Sequence, residues 1–145
     1  MTLAHPVSPT IGKALLENSV QMIVGAASLR GIGYATAQLF AEHGAKIVVL
    51  DIGMDASVTD KIRQQITDSV GIAPRMIGIR CDIQKSADCD RAVAQAFTEF
   101  GSLDGIVNCA GIVRAQPMLG ITEADYNLVL GVNLKGTFNI CRSAL

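Results

Sequence analysis

The chain has 145 residues, half of them apolar and 17% charged, with a formal net charge of −1. That length holds one domain with a genuine hydrophobic core, and the apolar fraction excludes a disordered chain. Near-neutral charge without a basic run argues against nucleic acid or an anionic membrane as the main partner, and no stretch is apolar for long enough to span a bilayer.

Residues 1–18 read as an irregular arm with Pro6 and Pro9, and nothing in Met1 to Thr10 resembles a signal peptide. From residue 19 to 145 strands and helices alternate. Ser19–Val24 is a strand candidate that feeds the glycine-rich stretch Gly25 to Gly33. A helix is expected over Gly31–His43, with Ile32, Ala35, Leu39 and Phe40 as its apolar stripe and Gly44 as its stop. Lys46–Leu50 is a continuous β-branched run of the kind covered on both faces. Ala56–Val70 carries Val58, Ile62, Ile66 and Val70 four apart, one helical stripe that ends at Gly71.

Met76–Ile79 reads as a third strand. Ser86 is expected to cap a helix through Phe100, with Val93, Phe97 and Phe100 on one face and Gly101 as the stop. Gly105–Asn108 is a fourth strand. Thr122 is expected to cap a last helix, with Glu123 and Asp125 in its first turn, that continues to Leu145. This alternation predicts βαβ units and a Rossmann-type doubly wound parallel α/β sheet, truncated after about four strands.

A strand that runs into a glycine loop and then a helix aims bare backbone N–H groups and the positive helix end at one spot, where a pyrophosphate commonly sits. Asp51 ends the second apolar strand about 20 residues after Gly31, where a carboxylate receives hydrogen bonds from a ribose diol. As a plain surface loop and a solvated strand-end aspartate the two features would be ordinary separately. Together they point to a dinucleotide.

Cys81, Cys89, Cys109 and Cys141 form no C-x-x-C pair, and His5 and His43 stand far apart. No metal site is therefore expected, and four reduced thiols fit a cytoplasmic protein.

The sequence resembles the classical short-chain dehydrogenases/reductases. The resemblance rests on Gly25…Gly31-Ile32-Gly33, Leu50-Asp51, Cys81-Asp82-Ile83, Asn108-Cys109-Ala110-Gly111 and Val132-Asn133-Leu134-Lys135-Gly136-Thr137, in the family's order. It implies an NAD(P)-dependent oxidoreductase that moves a hydride between the cofactor and a small carbonyl or alcohol substrate, possible substrates including 3-oxoacyl thioesters. It implies that Gly25, Ser28, Arg30, Gly31, Ile32 and Gly33 bind the cofactor at the glycine loop and that Asp51 and Ile52 bind it at the end of the second strand. Asp82 and Ile83 then meet the adenine, and Asn108, Ala110 and Gly111 meet the nicotinamide ribose. Asn133 is the one residue assigned to catalysis, at a helix irregularity that holds a water in the proton relay. The resemblance also implies a homo-oligomer.

Two departures stand out. Five residues separate Gly25 from Gly31, where the family pattern has three, and Val24 replaces the usual threonine. Leu29-Arg30 reads as the widening. Arg30 could pair with a 2′-phosphate, but Asp51 stands in the more direct position and repels one, so NAD is expected over NADP. The family's serine and Tyr-x-x-x-Lys pair are missing: Tyr34 and Tyr126 are followed four residues on by Gln38 and Leu130. The chain alone is therefore expected to be inactive, with an open fourth-strand edge and marginal stability as a monomer. The alternative is a non-catalytic nucleotide-binding module or a fragment without activity.

Overall fold

The structure, a computed structural model, describes residues 14–145. Most of the expected N-terminal arm, with both of its prolines, lies outside the described residues. Its last part is ordered into a turn. Leu16 packs against the core beside α1 (Ile32–Glu42), and its N–H donates to the His43 carbonyl at 3.0 Å.

Four strands, β1 (Val20–Val24), β2 (Lys46–Asp51), β3 (Met76–Arg80) and β4 (Gly105–Asn108), form one parallel sheet in the order β3-β2-β1-β4. Helices α1, α2 (Ala56–Val70) and α3 (Ser86–Phe100) make the crossovers. The chain steps from β1 outward to β3, then returns to place β4 on the other side of β1. That reversal opens a crevice at the carboxyl ends of β1 and β4, where open α/β sheets bind ligands. The register puts Val24 level with Leu50 and Asn108, and Asp51 level with Arg80.

Strand side chains alternate between two cores. Val20, Met22 and Val24 of β1, with Val48 and Leu50 of β2, face α3 and Ile140. Ile23, Ile47 and Val49 face α1 and α2. In α2, Ile62 and Ile66 are fully buried, as their spacing predicts, and Asp55 caps the helix by accepting from the Val58 N–H at 2.8 Å.

Three expectations are corrected. The buried face of α1 is Gly33 and Ala37, while Ile32, Ala35 and Leu39 are exposed. A Cβ at Gly33 would collide with the Gly25 carbonyl, so small residues are what let this helix lie on the loop. Ser86 does not cap α3: Lys85 holds the cap position without a side-chain bond. Asp88 instead takes the Asp82 N–H, and Phe97 of the same helix is half exposed. The last helix begins at the Thr122 cap as expected, but it is not α-helical throughout and ends at Ser143 instead of reaching Leu145. After a short 3-10 turn at Met118–Gly120, α4 (Glu123–Leu130) passes into a π-helical stretch, Gly131–Gly136, and then α5 (Thr137–Ser143). The helix irregularity implied at Asn133 is this π-helical stretch.

Candidate functional site

A cleft of about 410 Å³ opens where the sheet order reverses. Gly25, Asp51, Ile52, Asp82, Ile83, Ala110 and Gly111 line it, all of them residues singled out in the sequence. Ser28 and Arg30 stand exposed on the loop, with Gly31, Ile32 and Gly33 at the head of α1, beyond the lining of the cleft. Leu29 explains how the widened loop is held: it packs into the core beneath α1, while Arg30 points outward without an ion pair among the described residues.

Gly25 turns the chain out of β1 at φ +81, and a Cβ there would lie 2.6 Å from the Ala110 nitrogen. The loop and the end of β4 therefore meet through bare backbone. At the head of α1, Gly31 holds the cap position with no side-chain hydrogen bond, and no acidic residue occupies the first turn. The first-turn N–H groups, which have no partner within the helix, remain open to an anion.

Asp51 sits at the tip of β2 and is held by two backbone donors. Its Oδ2 accepts from the Ala27 N–H at 3.0 Å and its Oδ1 from the Gly53 N–H at 2.9 Å. A carboxylate has about four acceptor positions, so it keeps capacity for a diol. Asp82 accepts from the Gln84 N–H at 3.1 Å and pairs loosely with Lys85 at 3.6 Å. Beside it the Ile83 N–H has no acceptor among the described residues. An acceptor next to a free donor suits the amino edge of an adenine. Cradle, carboxylate and adenine edge together fit a dinucleotide.

Two singled-out asparagines are engaged elsewhere. Asn108 does not line the cleft: its Nδ2 donates to Thr137 Oγ1 at 2.8 Å, and its Oδ1 accepts from the Ala110 N–H at 3.1 Å. It ties the end of β4 to α5. Asn133 grips the backbone of Ile112 from both sides. Its Oδ1 accepts the Ile112 N–H and its Nδ2 donates to the Ile112 carbonyl, each at 2.9 Å. Its side chain fixes the loop after β4 against the π-helical stretch, which is a positioning role.

Cys81 forms part of the cleft floor, and its burial, aided by Cys89, pushes the thiol up to about 12. It stays protonated at neutral pH and serves as a small apolar wall rather than a nucleophile. Val24, Cys109 and Val132, each named within a sequence motif, also line it, and Gln84, Ile112, Arg114 and Leu128, which were not singled out in the sequence, complete the lining. Leu128 and Val132 lie four apart and were readable as a stripe of the last helix. Arg114 carried no such signal. Buried Asn139, also unforeseen, donates to the Ile83 carbonyl at 2.8 Å and so steadies this corner of the cleft from α5. Tyr34 is partly buried against the α1–α2 core, which raises its pKa by desolvation. Tyr126 is exposed on α4. Among the described residues, no cluster of His, Cys, Asp or Glu stands where it could hold a metal ion.

A parallel sheet with a cleft at its switch point defines a Rossmann-type fold. The family model described as enoyl-(acyl carrier protein) reductase matches residues 25–145. A short-chain type dehydrogenase/reductase of Sinorhizobium fredii is 37% identical over 87% of this chain and 48% of its own length. A hydroxy(phenyl)methylsuccinyl-CoA dehydrogenase subunit of Thauera aromatica is 39% identical over 90% of this chain and 49% of its own. The solved 3-ketoacyl-(acyl-carrier-protein) reductase of Brucella melitensis, complexed with NADH, superposes with a TM-score of 0.74 at 33% identity, covering 87% of this chain and 48% of that one. The chain belongs to the short-chain dehydrogenase/reductase family, and it spans about half the length of the relatives it matches.

Proposed function

We propose that these residues form the cofactor-binding half of an NAD-dependent oxidoreductase acting on a carbonyl or alcohol substrate. The reading is carried by Asp51, whose carboxylate is fixed at the rim of the cleft by the Ala27 and Gly53 N–H groups. A fixed negative charge there accepts the two hydroxyls of a free ribose and repels a 2′-phosphate, so NAD is preferred over NADP. The nicotinamide supplies or takes the hydride when bound. This chain's residues bind and orient. The glycine loop and the head of α1 receive the pyrophosphate, with Ser28 and Arg30 at its edge. Asp51 and Ile52 flank the ribose, and Asp82 and the Ile83 N–H read the adenine. Ala110 and Gly111 leave room for the nicotinamide ribose.

Asn133 takes part in this reading through the loop it clamps and through the widened helix around it, where a water of the proton relay is held. The thioester substrates named for two relatives make a 3-oxoacyl thioester a substrate class consistent with the reading. We take the working form to be a homo-oligomer, supported by the exposed stripe Leu130, Leu134 and Phe138. We place it in the cytoplasm, supported by four free thiols. Among the described residues, no helix is long and apolar enough to cross a membrane.

A second reading, a nucleotide-binding module without turnover, draws on one observation. Neither tyrosine has a lysine four residues on, since Gln38 and Leu130 hold those places. Calorimetric titration with NADH and NADPH tests both readings. NADH should bind at least about tenfold more tightly than NADPH, and absence of binding by either sinks both. Hydride transfer to a carbonyl panel by this chain alone would remove the second.

A further inference from the structure

A second cavity of about 260 Å³ lies against the dinucleotide cleft. The two share Ile112 and Arg114 as a common wall. Its other lining comes from the apolar Val113, Ile121, Val129 and Leu130 and from the polar Asp125, Tyr126 and Asn133. Arg114 is the one cation that lines either space, and it pairs loosely with Asp125, which also lines the second cavity. Its Nε faces Asp125 Oδ1 at 3.6 Å, too long for a charge-assisted hydrogen bond. Its Nη1 reaches the Val113 carbonyl only at 3.4 Å, and its Nη2 has no partner among the described residues. Asp125 Oδ2 accepts from Thr122 Oγ1 at 2.6 Å and from Gln116 Nε2 at 3.1 Å, which leaves its Oδ1 to the guanidinium edge. The guanidinium is thus held in place by one edge while its outer fork stays open.

The backbone beneath it is equally fixed. Ile112, two residues earlier, is clamped by Asn133, and Gln116, two residues later, is tied to Asp125. A half-exposed arginine with an open fork, between a cofactor cleft and an apolar pocket, suits a ligand with an apolar body and an anionic end.

We propose that Arg114 recognises a negatively charged group on the substrate, whose carbon chain occupies the second cavity with its carbonyl directed toward the dinucleotide cleft. The substrate class is an anionic carbonyl compound, and the anion is a carboxylate or a phosphate. This inference rests on the proposed use of the cleft for NAD.

The test is calorimetry on the NADH-loaded chain with three probes: acetoacetate, dihydroxyacetone phosphate and the neutral ester methyl acetoacetate. The unaltered chain should bind at least one anionic probe about tenfold more tightly than the ester, and whichever binds identifies the anion. With each variant compared at saturating NADH, Arg114→Gln should remove that preference and leave the ester within about twofold, and Arg114→Lys should restore part of the preference. A melting curve establishes that the Gln variant is folded. If it is not, the salt dependence of acetoacetate binding by the unaltered chain decides, since an arginine-anion contact weakens with salt and the ester does not. Equal affinity for acetoacetate, the phosphate and the ester overturns the proposal while leaving NAD binding intact. Loss of NADH affinity in Arg114→Gln assigns the guanidinium to the cofactor and also overturns it. Failure of the unaltered chain to bind NADH overturns the reading beneath it.

Discussion

At Gly25 one missing side chain decides whether the cleft exists. The residue has φ +81, and a Cβ would press within 2.8 Å of the Ala110 backbone. Gly25→Ala therefore combines a left-handed penalty with a backbone clash. It should cost about 2 kcal/mol or more of stability and abolish NADH binding, measured by denaturant unfolding and calorimetry. Asp88 carries a pH dependence. The Asp82 N–H bonded to it, with Arg91 beside it, holds its carboxyl below the ordinary value of 3.8. A pKa lowered on folding stabilises the charged folded form above the ordinary value, and the gain disappears as pH falls through the lowered value. Unfolding free energy should thus decline from about pH 4 downward, and Asp88→Asn should flatten part of that slope. An unchanged slope in the variant would remove Asp88 from the account. Gly25, Asp51 and Asp82 were legible because each is defined by its place at a strand end. The use of Asn108 was not, because its partner Thr137 comes from a helix whose position only the fold decides.

At the level of elements, α1 shows how periodicity can be read on the wrong face. Ile32, Leu39 and Phe40 offered the more hydrophobic stripe, but the helix must lie close over β1 and the loop. Only Gly33 and Ala37 are small enough to be fully buried there. Ala37→Leu should overpack this contact and cost about 1–3 kcal/mol. Leu39→Ala, on the exposed side, should change stability by no more than about 0.5 kcal/mol. Thermal or denaturant unfolding of the pair separates the two faces. By contrast α2 was read correctly, since nothing competes there with its long side chains for close approach to the sheet, and Ile62 and Ile66 fill the space fully. The π-helical stretch was legible only through family resemblance, and the contact made from it is tertiary: Asn133 clamps Ile112 with two hydrogen bonds. Asn133→Ala should weaken the molecule by about 1–2 kcal/mol. It should also raise the exchange rate of the Ile112 amide well before that of the β1 amides, as followed by hydrogen exchange.

At the scale of the molecule, the arrangement β3-β2-β1-β4 leaves β4 with one sheet neighbour among the described residues, and every residue of that strand is only partly buried. On another face Leu134 and Phe138 lie open beside Leu130 along the π-helical stretch and α5. Strand edges and apolar stripes of this kind drive association, by different routes. A strand edge pairs through backbone and tolerates side-chain change along its length, provided that no charge points into the new sheet. A helical stripe associates through its side chains and fails when they become charged. The melting midpoint should accordingly rise with protein concentration, as mass action requires for any folded-state association. Replacing both Leu134 and Phe138 with lysine should remove that rise if the helical face is the contact, and sedimentation should then report a monomer. If the rise persists in that variant but vanishes in Val107→Lys, the contact is the β4 edge. A midpoint independent of concentration in the unaltered chain would mean that neither surface associates, and the homo-oligomer reading would fall with it.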